Sequence, residues 1–182
     1  SDKISFRLTY TTSTRSHSFI PLNTESENTI DQILSETEVG RDYGWILGDS
    51  KNVPIIVDAE GKTISFPPII NASVTTVTTK TTNLLVEVTS LDKDAAEDML
   101  SVVVAILQIA GFDIVQLTVS GKKNGTPKLN SRTIQYSPKL TEQTIGLSLN
   151  QSTTISSLKK FRLDATPKGK NIQSVIPRYR FE

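Results

Sequence analysis

Apolar and polar positions change period several times along the chain, and each change predicts an element. Phe6, Leu8 and Tyr10 alternate with polar neighbours, the signature of a half-buried strand, until the polar run Thr11 to Ser16 interrupts it. Ile30, Ile33 and Leu34 then recur on one helical face, with Asn28 or Thr29 available as a cap and Gly40 as a stop. Tyr43, Trp45 and Leu47 read as extended packing residues. Val53 to Val57 and Lys62 to Phe66 flank Asp58-Ala-Glu-Gly61, which predicts a hairpin whose turn uses Gly61 at positive φ. Pro67 and Pro68 lack backbone donors and therefore end the second strand.

The run Thr82 to Asp92 reads as a further strand. Leu84, Val86 and Val88 share its core face, while Leu85, Glu87 and Thr89 share a face that borders a cleft. Asp92 or Asp94 caps the next helix, in which Asp94 and Glu97 have capping-box spacing. To Ala110 the polar or small residues Asp98, Ser101, Ala105 and Gln108 make only a narrow stripe, so this helix is expected to be mostly buried against a sheet, with Gly111 as its cap. Ile114 to Val119 supplies another strand and completes the strand, helix, strand order of an α/β layer.

Residues 120–128 combine two glycines, a proline and polar residues, and so mark the boundary between domains at 1–122 and 123–182. Beyond it, Arg132 to Tyr136 reads as a strand, Ser137-Pro138 opens a helix that Gly146 stops, and Thr153 to Phe161 forms a second helix. A hairpin joins Phe161–Ala165 to Asn171–Ile176 through Pro167-Lys-Gly-Lys. The predicted fold class is thus α/β (α+β), a mixed or antiparallel sheet packed by helices, followed by a small winged-helix-like α+β domain.

Composition narrows the possibilities. The 182 residues, 36% of them apolar, suffice for two modest cores. The chain has no cysteine, which excludes disulfides, thiolate metal sites and cysteine nucleophiles. Its longest apolar run, Val102 to Leu107, is too short for a membrane span, and the amino-terminal stretch has no secretory pattern. The expectation is a soluble cytoplasmic protein without a membrane partner. Residues 1–125 carry ten Lys or Arg against sixteen Asp or Glu, net −6, whereas residues 126–182 carry ten against three, net +7. Two units with different electrostatic roles follow.

Candidate chemistry is sparse. No phosphate-binding Gly-rich Lys-Ser/Thr loop or dinucleotide fingerprint is present, and the sole histidine, His17, suits a surface or local hydrogen-bonding role better than catalysis; no metal site is expected. Glu87, on an otherwise apolar strand, requires either solvent exposure or a hydrogen-bonded pocket, because an unpaired buried carboxylate is costly. Thr89 lies two positions on and is either a pocket hydroxyl or an ordinary strand residue. Ser65 and Asn71 border the Pro67-Pro68 turn as structural hydrogen-bonders or as ligand contacts. Lys159, Lys160, Arg162, Lys168, Lys170, Arg178 and Arg180 are candidates for a nucleic-acid backbone, and equally for a solvated face or an acidic protein neighbour. Tyr179 between two arginines is a stacking candidate.

Several stretches together carry a family resemblance: Phe19-Ile-Pro-Leu, Gly40-Arg-Asp-Tyr-Gly-Trp-Ile-Leu, Val53-Pro-Ile-Ile-Val-Asp-Ala-Glu-Gly, the Ile64 to Asn71 segment and Thr82 to Asp92. In this order and spacing they resemble the beta subunits of archaeal- and eukaryotic-type phenylalanyl-tRNA synthetases. Thr126-Pro-Lys-Leu, Arg132-Thr-Ile-Gln-Tyr-Ser, Ile145-Gly-Leu-Ser-Leu and Val175-Ile-Pro-Arg-Tyr-Arg extend the resemblance. It implies most of an editing module (B3/B4) followed by a small B5 module, in an internal fragment or a reduced relative.

That resemblance implies hydrolysis of tyrosine wrongly esterified to tRNA(Phe). Glu87 and Thr89 take the catalytic positions; Ser65, Pro68, Asn71 and Glu87 contact the substrate, and the Pro-Pro turn shapes one wall. A positioned water attacks the ester, backbone amides or Thr89 stabilise the developing oxygen charge, and Glu87 accepts a hydrogen bond from the tyrosine phenol. Glu87 stands where the family often has aspartate, and Ala72 where glycine is common after Asn71. The implied partners are the synthetase alpha subunit of a heterotetramer and tRNA(Phe). The segment itself needs no cofactor, ATP and magnesium serving the complete synthetase. The alternative is a non-catalytic tRNA-positioning or subunit-assembly module.

Overall fold

A computed structural model describes residue 5 and residues 7–121 and 125–180. Phe6, the first position of the opening strand pattern, lies outside them, as does the predicted 122/123 boundary. The chain divides into two compact units, Ser1–Thr89 and Ser90–Glu182. The loop at 120–128 therefore falls inside the second.

In the first unit, strands β1 (Thr9–Thr14), β4 (Asn52–Val57), β5 (Thr63–Phe66) and β6 (Ile70–Asn71) form one sheet in the order β1-β4-β5-β6, antiparallel throughout. β2 (Ser18–Phe19) and β3 (Asn28–Thr29) make a short separate ladder. The first strand includes the polar run expected to interrupt it. Pairing of all six residues with β4 supplies ladder hydrogen bonds that do not depend on side-chain pattern, so Thr11 to Thr14 remain extended.

Helix α1 (Ile30–Glu36) starts at Thr29, whose hydroxyl accepts from the Gln32 amide while the Gln32 side chain accepts from the Thr29 N–H. This reciprocal capping box fixes the entry, and Ile30 and Ile33 are fully buried. Gly40 is not the stop. The helix ends at Glu36, Thr37 caps a second helix α2 (Glu38–Tyr43), and Gly40 lies within that helix where a Cβ would stand 2.1 Å from the Ile33 carbonyl oxygen. Glycine is required there for close helix approach. Gly44–Leu47 then forms a 3-10 turn rather than extended chain, which leaves Tyr43 and Trp45 exposed.

The alternation in β4 and β5 sends Val53, Ile55 and Phe66 into a core with Phe19, Ile30, Ile33, Ile69 and Ala72. Each large side chain buried there contributes about 1.5–3 kcal/mol. The predicted β4–β5 hairpin forms, with Gly61 at φ +81 and a register irregularity between Ile56 and Val57. Asp58 organises its turn, its carboxylate accepting from the amides of Lys62 at 2.9 Å, Glu60 at 3.0 Å and Ser5 at 3.3 Å. Burial favours the neutral acid, but these amides and the charge of Lys62 outweigh it, so the Asp58 pKa is lowered.

The second unit opens with α3 (Lys93–Ile109), capped by Asp92, whose carboxylate accepts from the Ala95 amide. Its extent matches the sequence pattern, but its environment does not. Only Ser101 and Val104 are buried, while Met99, Ile106 and Ile109 are exposed. The reason is that residues 82–91 and 114–119 form no strands. Leu117 makes a single bridge, to Thr126, so no sheet forms from the segments flanking the helix. The predicted α/β layer is absent among the described residues.

Further on, β7 (Arg132–Tyr136), α4 (Pro138–Ile145), α5 (Gln151–Lys160), β8 (Asp164–Lys168) and β9 (Asn171–Ile176) follow the predicted order closely. Gly146 adopts φ +71 as the α4 cap, and the antiparallel sheet runs β7-β9-β8. Ile172, Ala165, Ser174 and Thr154 are buried there.

Two outcomes test this description. Gly40→Ala is expected to destabilise the chain by at least about 2 kcal/mol, because the added methyl meets backbone rather than a movable side chain; an unchanged urea midpoint would rule out the close approach. Asp58 has a folded pKa below its unfolded value, so its stabilising contribution is present above about pH 4 and is lost as pH falls through the depressed value. Asp58→Asn should therefore weaken the fold at neutral pH and flatten the acid limb of a Tm-against-pH curve; parallel acid limbs would contradict that.

Candidate functional site

Cross-strand register builds one side of a cavity in the first unit. Tyr10 pairs with Ile56, Ile56 with Ser65, and Ser65 with Asn71. Directly opposite residues project to the same face of a sheet, so these four side chains form a row across it. The adjacent positions Ile55 and Phe66 point to the core instead. Ser65 Oγ donates to Asn71 Oδ1 at 2.8 Å, which satisfies a nearly buried hydroxyl and leaves the Asn71 NH₂ donors unassigned by that bond.

The Pro67-Pro68 turn, closed by the Ile69 amide donating to the Phe66 carbonyl, supplies the next wall. Ala72, where glycine was the common residue of the resemblance, has φ −79 and ψ 154, ordinary extended backbone in which alanine carries no strain.

Glu87 and Thr89 reach the cavity from residues 81–90, which form neither strand nor helix. The expected core face of that segment is not realised, since Leu84 is exposed and Val86 and Val88 are only half-buried. A lone strand finds no ladder partner here. Glu87 and Thr89 are solvent-exposed, so the carboxylate carries no burial cost. They still meet, the Thr89 hydroxyl donating to Glu87 Oε1 at 2.8 Å and Oε2 at 3.1 Å. A hydroxyl has one hydrogen, so Thr89 in this arrangement is an acceptor towards anything else, not a donor.

The cavity measures about 500 Å³ and is open to solvent. Leu22, Val39, Pro67, Pro68, Ile69 and Ile70 give it apolar walls, and Asn23, Ser65, Asn71, Glu87 and Thr89 give it polar points. Glu87 is the single ionisable side chain among these lining residues. Such a lining suits an organic ring carrying a hydrogen-bonding tip.

Sequence reasoning did not find Leu22, Asn23, Val39 or Tyr10. Asn23 has φ 65, a conformation asparagine tolerates better than most residues, and its place after Pro-Leu was the available signal. Tyr10 stands 77 positions from Glu87, yet near enough for the Glu87 charge to act on its phenol. Burial, then the nearby Glu87 charge, raise its pKa above the usual tyrosine value. His17 has a structural partner, its Nε2 lying 2.7 Å from Thr63 Oγ1.

The basic candidates of the second unit do not gather at one point. Lys159 and Lys160 occupy the last turn of α5, with Arg162 just beyond, whereas Lys168 and Lys170 sit at the β8–β9 turn. That turn lies by the opposite end of α5, where Gln151 Nε2 donates to the Gly169 and Asn171 carbonyls. All five are exposed. Arg178 instead pairs with Asp98 of α3 at 2.5 Å, and Arg180 donates to the Phe161 carbonyl. No group of metal-ligating side chains occurs among the described residues, and no helix there is long and apolar enough to cross a membrane.

Comparison with known proteins gives a consistent set of relatives. The chain is 36% identical over 167 residues to the phenylalanine–tRNA ligase beta subunit of Methanocaldococcus jannaschii, covering 90% of this chain and 30% of that protein. It is 38% identical over 163 residues to the beta subunit of Methanococcus vannielii, covering 89% and 29%. Among solved structures, an N-terminal fragment of the phenylalanyl-tRNA synthetase beta subunit from Pyrococcus horikoshii shares the fold with a TM-score of 0.84 at 24% identity, covering 100% of this chain and 53% of that fragment. No family model matches. The chain thus spans about 30% of the length of the curated relatives it matches.

Replacing Ser65 by alanine should remove this part-buried hydrogen bond and cost about 0.5–1.5 kcal/mol. Chemical denaturation measures this, and a neutral substitution would show that the row does not depend on the bond.

Proposed function

This chain is homologous to a segment of the phenylalanine–tRNA ligase beta subunit, and from that premise we propose that its first unit is an editing pocket which hydrolyses tyrosine misattached to tRNA(Phe). The observation that carries this reading is a carboxylate, Glu87, standing alone among ionisable groups in a mostly apolar cavity of about 500 Å³. The carboxylate already accepts a hydroxyl hydrogen bond, from Thr89. A tyrosyl ring lies against the Pro67, Pro68 and Ile69 wall, and its hydroxyl donates to Glu87. Phenylalanine offers no donor to that carboxylate, so the two rings differ by one hydrogen bond to a charged group.

Hydrolysis adds water to the ester carbonyl carbon, after which the bond to the ribose oxygen breaks and that oxygen takes the proton the water has lost. The reading assigns the Asn71 NH₂ group and backbone amides to the developing oxyanion. Thr89, its hydrogen directed to Glu87, positions the carboxylate and accepts from the attacking water. Pro68 and Ser65 shape and pin the wall. Glutamate in place of the aspartate often found in the family moves the carboxylate by about one bond length, a distance to which productive geometry is sensitive.

In the same reading, residues 1–122 form the B3/B4-like editing domain and residues 123–182 the B5-like winged-helix domain. Lys159, Lys160, Arg162, Lys168 and Lys170 present an RNA-facing surface, while Arg178 and Arg180 serve mainly to hold the unit together. The partners are a synthetase alpha subunit and tRNA(Phe), in the cytoplasm. ATP and magnesium act in the complete synthetase and not in this segment.

One feature favours a second reading, a tRNA-positioning or assembly module without hydrolysis. The cavity lining contains no histidine or lysine to act as a general base, and the one carboxylate is engaged by the Thr89 hydroxyl. The time course of deacylation of Tyr-tRNA(Phe), with Phe-tRNA(Phe) as control, separates the two. Selective loss of tyrosine is expected, slowed about tenfold or more by Glu87→Gln and by Thr89→Val. Salt-dependent tRNA binding with equal background hydrolysis of both esters would support the second reading, and unchanged activity in both folded variants would remove Glu87 and Thr89 from the site.

A further inference from the structure

Four of the five polar side chains that line the cavity are engaged with one another, Ser65 with Asn71 and Thr89 with Glu87. Asn23 is the fifth, and among the described residues its amide has neither donor nor acceptor in use. The side chain is exposed, so the unengaged amide carries no burial cost.

Local structure fixes where that amide stands. Thr24 donates its backbone N–H to the Pro21 carbonyl at 3.2 Å and its hydroxyl to the same oxygen at 2.9 Å, which closes a turn of Pro21, Leu22, Asn23 and Thr24. The turn is mounted on the sheet. Pro21 is fully buried and bridges Ala72, and the Leu22 amide donates to the Asn71 carbonyl at 2.8 Å. Asn23 is the third residue of the turn and has φ 65, a conformation in which glycine is free of strain and asparagine is tolerated. The turn therefore accounts for the positive φ but does not call for a carboxamide.

A carboxamide presents a donor and an acceptor side by side, the pair that matches N7 and the N6 amino group of adenine. The cavity, at about 500 Å³, is of the size that holds a whole drug-sized ligand rather than one aromatic ring. With a tyrosyl ring against the Pro67, Pro68 and Ile69 wall, its ester leads out to the adenosine that ends every tRNA. Leu22 and Val39, the apolar lining residues outside the Pro67 to Ile70 stretch, offer surface for the face of a base. We propose that Asn23 is a substrate-binding residue that reads this terminal adenine, its Nδ2 donating to N7 and its Oδ1 accepting from the N6 amino group. The proposal rests on the editing reading for the ligand, and on the turn and the cavity for the residue.

Asn23→Gly is the test variant, because glycine keeps the positive φ and removes only the carboxamide. The probes are two amide analogues of the ester, 3′-deoxy-3′-tyrosylamino-adenosine and its counterpart with purine in place of adenine, which keeps N7 and lacks the N6 amino group. In calorimetric titration the wild type is expected to bind the adenine probe about fivefold more tightly than the purine probe, the value of one hydrogen bond. Asn23→Gly is expected to bind the two alike. A preference that survives in Asn23→Gly, or a wild type that binds both probes equally, would overturn the proposal. A purely structural role for Asn23 weakens both probes together and leaves their ratio unchanged, which also counts against it. Deacylation of Tyr-tRNA(Phe) judges the editing reading separately. Selective deacylation without an adenine preference removes Asn23 and keeps the editing pocket. An adenine preference that depends on Asn23, without deacylation, supports the adenine contact and fails the editing reading. A wild type that binds neither probe overturns the proposal.

Discussion

Antiparallel register across β1, β4, β5 and β6 is the constraint on which the cavity depends. A shift of one residue would turn Ser65 and Ile56 towards Phe19 and Ile33, and take Ile55 and Phe66 out of that core. Burial of those two residues at about 1.5–3 kcal/mol each opposes the slip. The same energy that builds the core therefore sets Tyr10, Ser65 and Asn71 on the other face. The register irregularity between Ile56 and Val57 fits the same pattern, since it adjusts the hairpin without disturbing the row.

Around that sheet, short-range devices fix the chain where ladders stop. The capping box of Thr29 and Gln32, the close approach at Gly40 and the Asp58 turn each satisfy backbone groups at points where the core bends. Pro67 and Pro68 end β5 at the position where the cavity begins. Glu87 lacks any such support in its own backbone, so side-chain hydrogen bonds carry the task. The cavity thus combines a wall fixed by ladder pairing with a carboxylate held by the Thr89 hydroxyl of its own segment.

The second unit has a different balance. Its helix α3 carries exposed apolar residues and is bound to the rest of the unit by ion pairs, Lys128 with Glu97 and Arg178 with Asp98. Both pairs are partly buried on the carboxylate side, so solvent screens them less than it would fully exposed pairs. The buried Ile172, Ala165 and Ser174 around β8 and β9 hold the remainder. The excess of positive charge in this region comes from side chains spread along α5 and the following turn, so its field is broad.

Sequence patterns sufficed where the physics is local. Helix boundaries at Thr29, Asp92 and Pro138 follow from capping chemistry, the Asp58 to Gly61 turn from positive φ, and the final hairpin from alternating apolar residues around Lys-Gly-Lys. Ser65, Asn71, Glu87 and Thr89 were legible as polar residues beside a Pro-Pro turn. What periodicity did not reveal was partnership. Residues 82–91 and 114–119 have strand composition, yet a strand exists only when another supplies its hydrogen bonds; the first segment has no ladder partner and the second only the bridge from Leu117 to Thr126. An apolar helix is buried only if a face is present to cover it, which α3 lacks in its own unit. Gly40 looked like a stop because a glycine's need for space is invisible until the neighbouring turn is in place. The sequence by itself determined the turns, caps and residue chemistry, which depend on neighbours a few positions apart; tertiary structure decided which strands pair, which faces are covered and which side chains meet, because those depend on contacts whose free energy exists only in the folded chain.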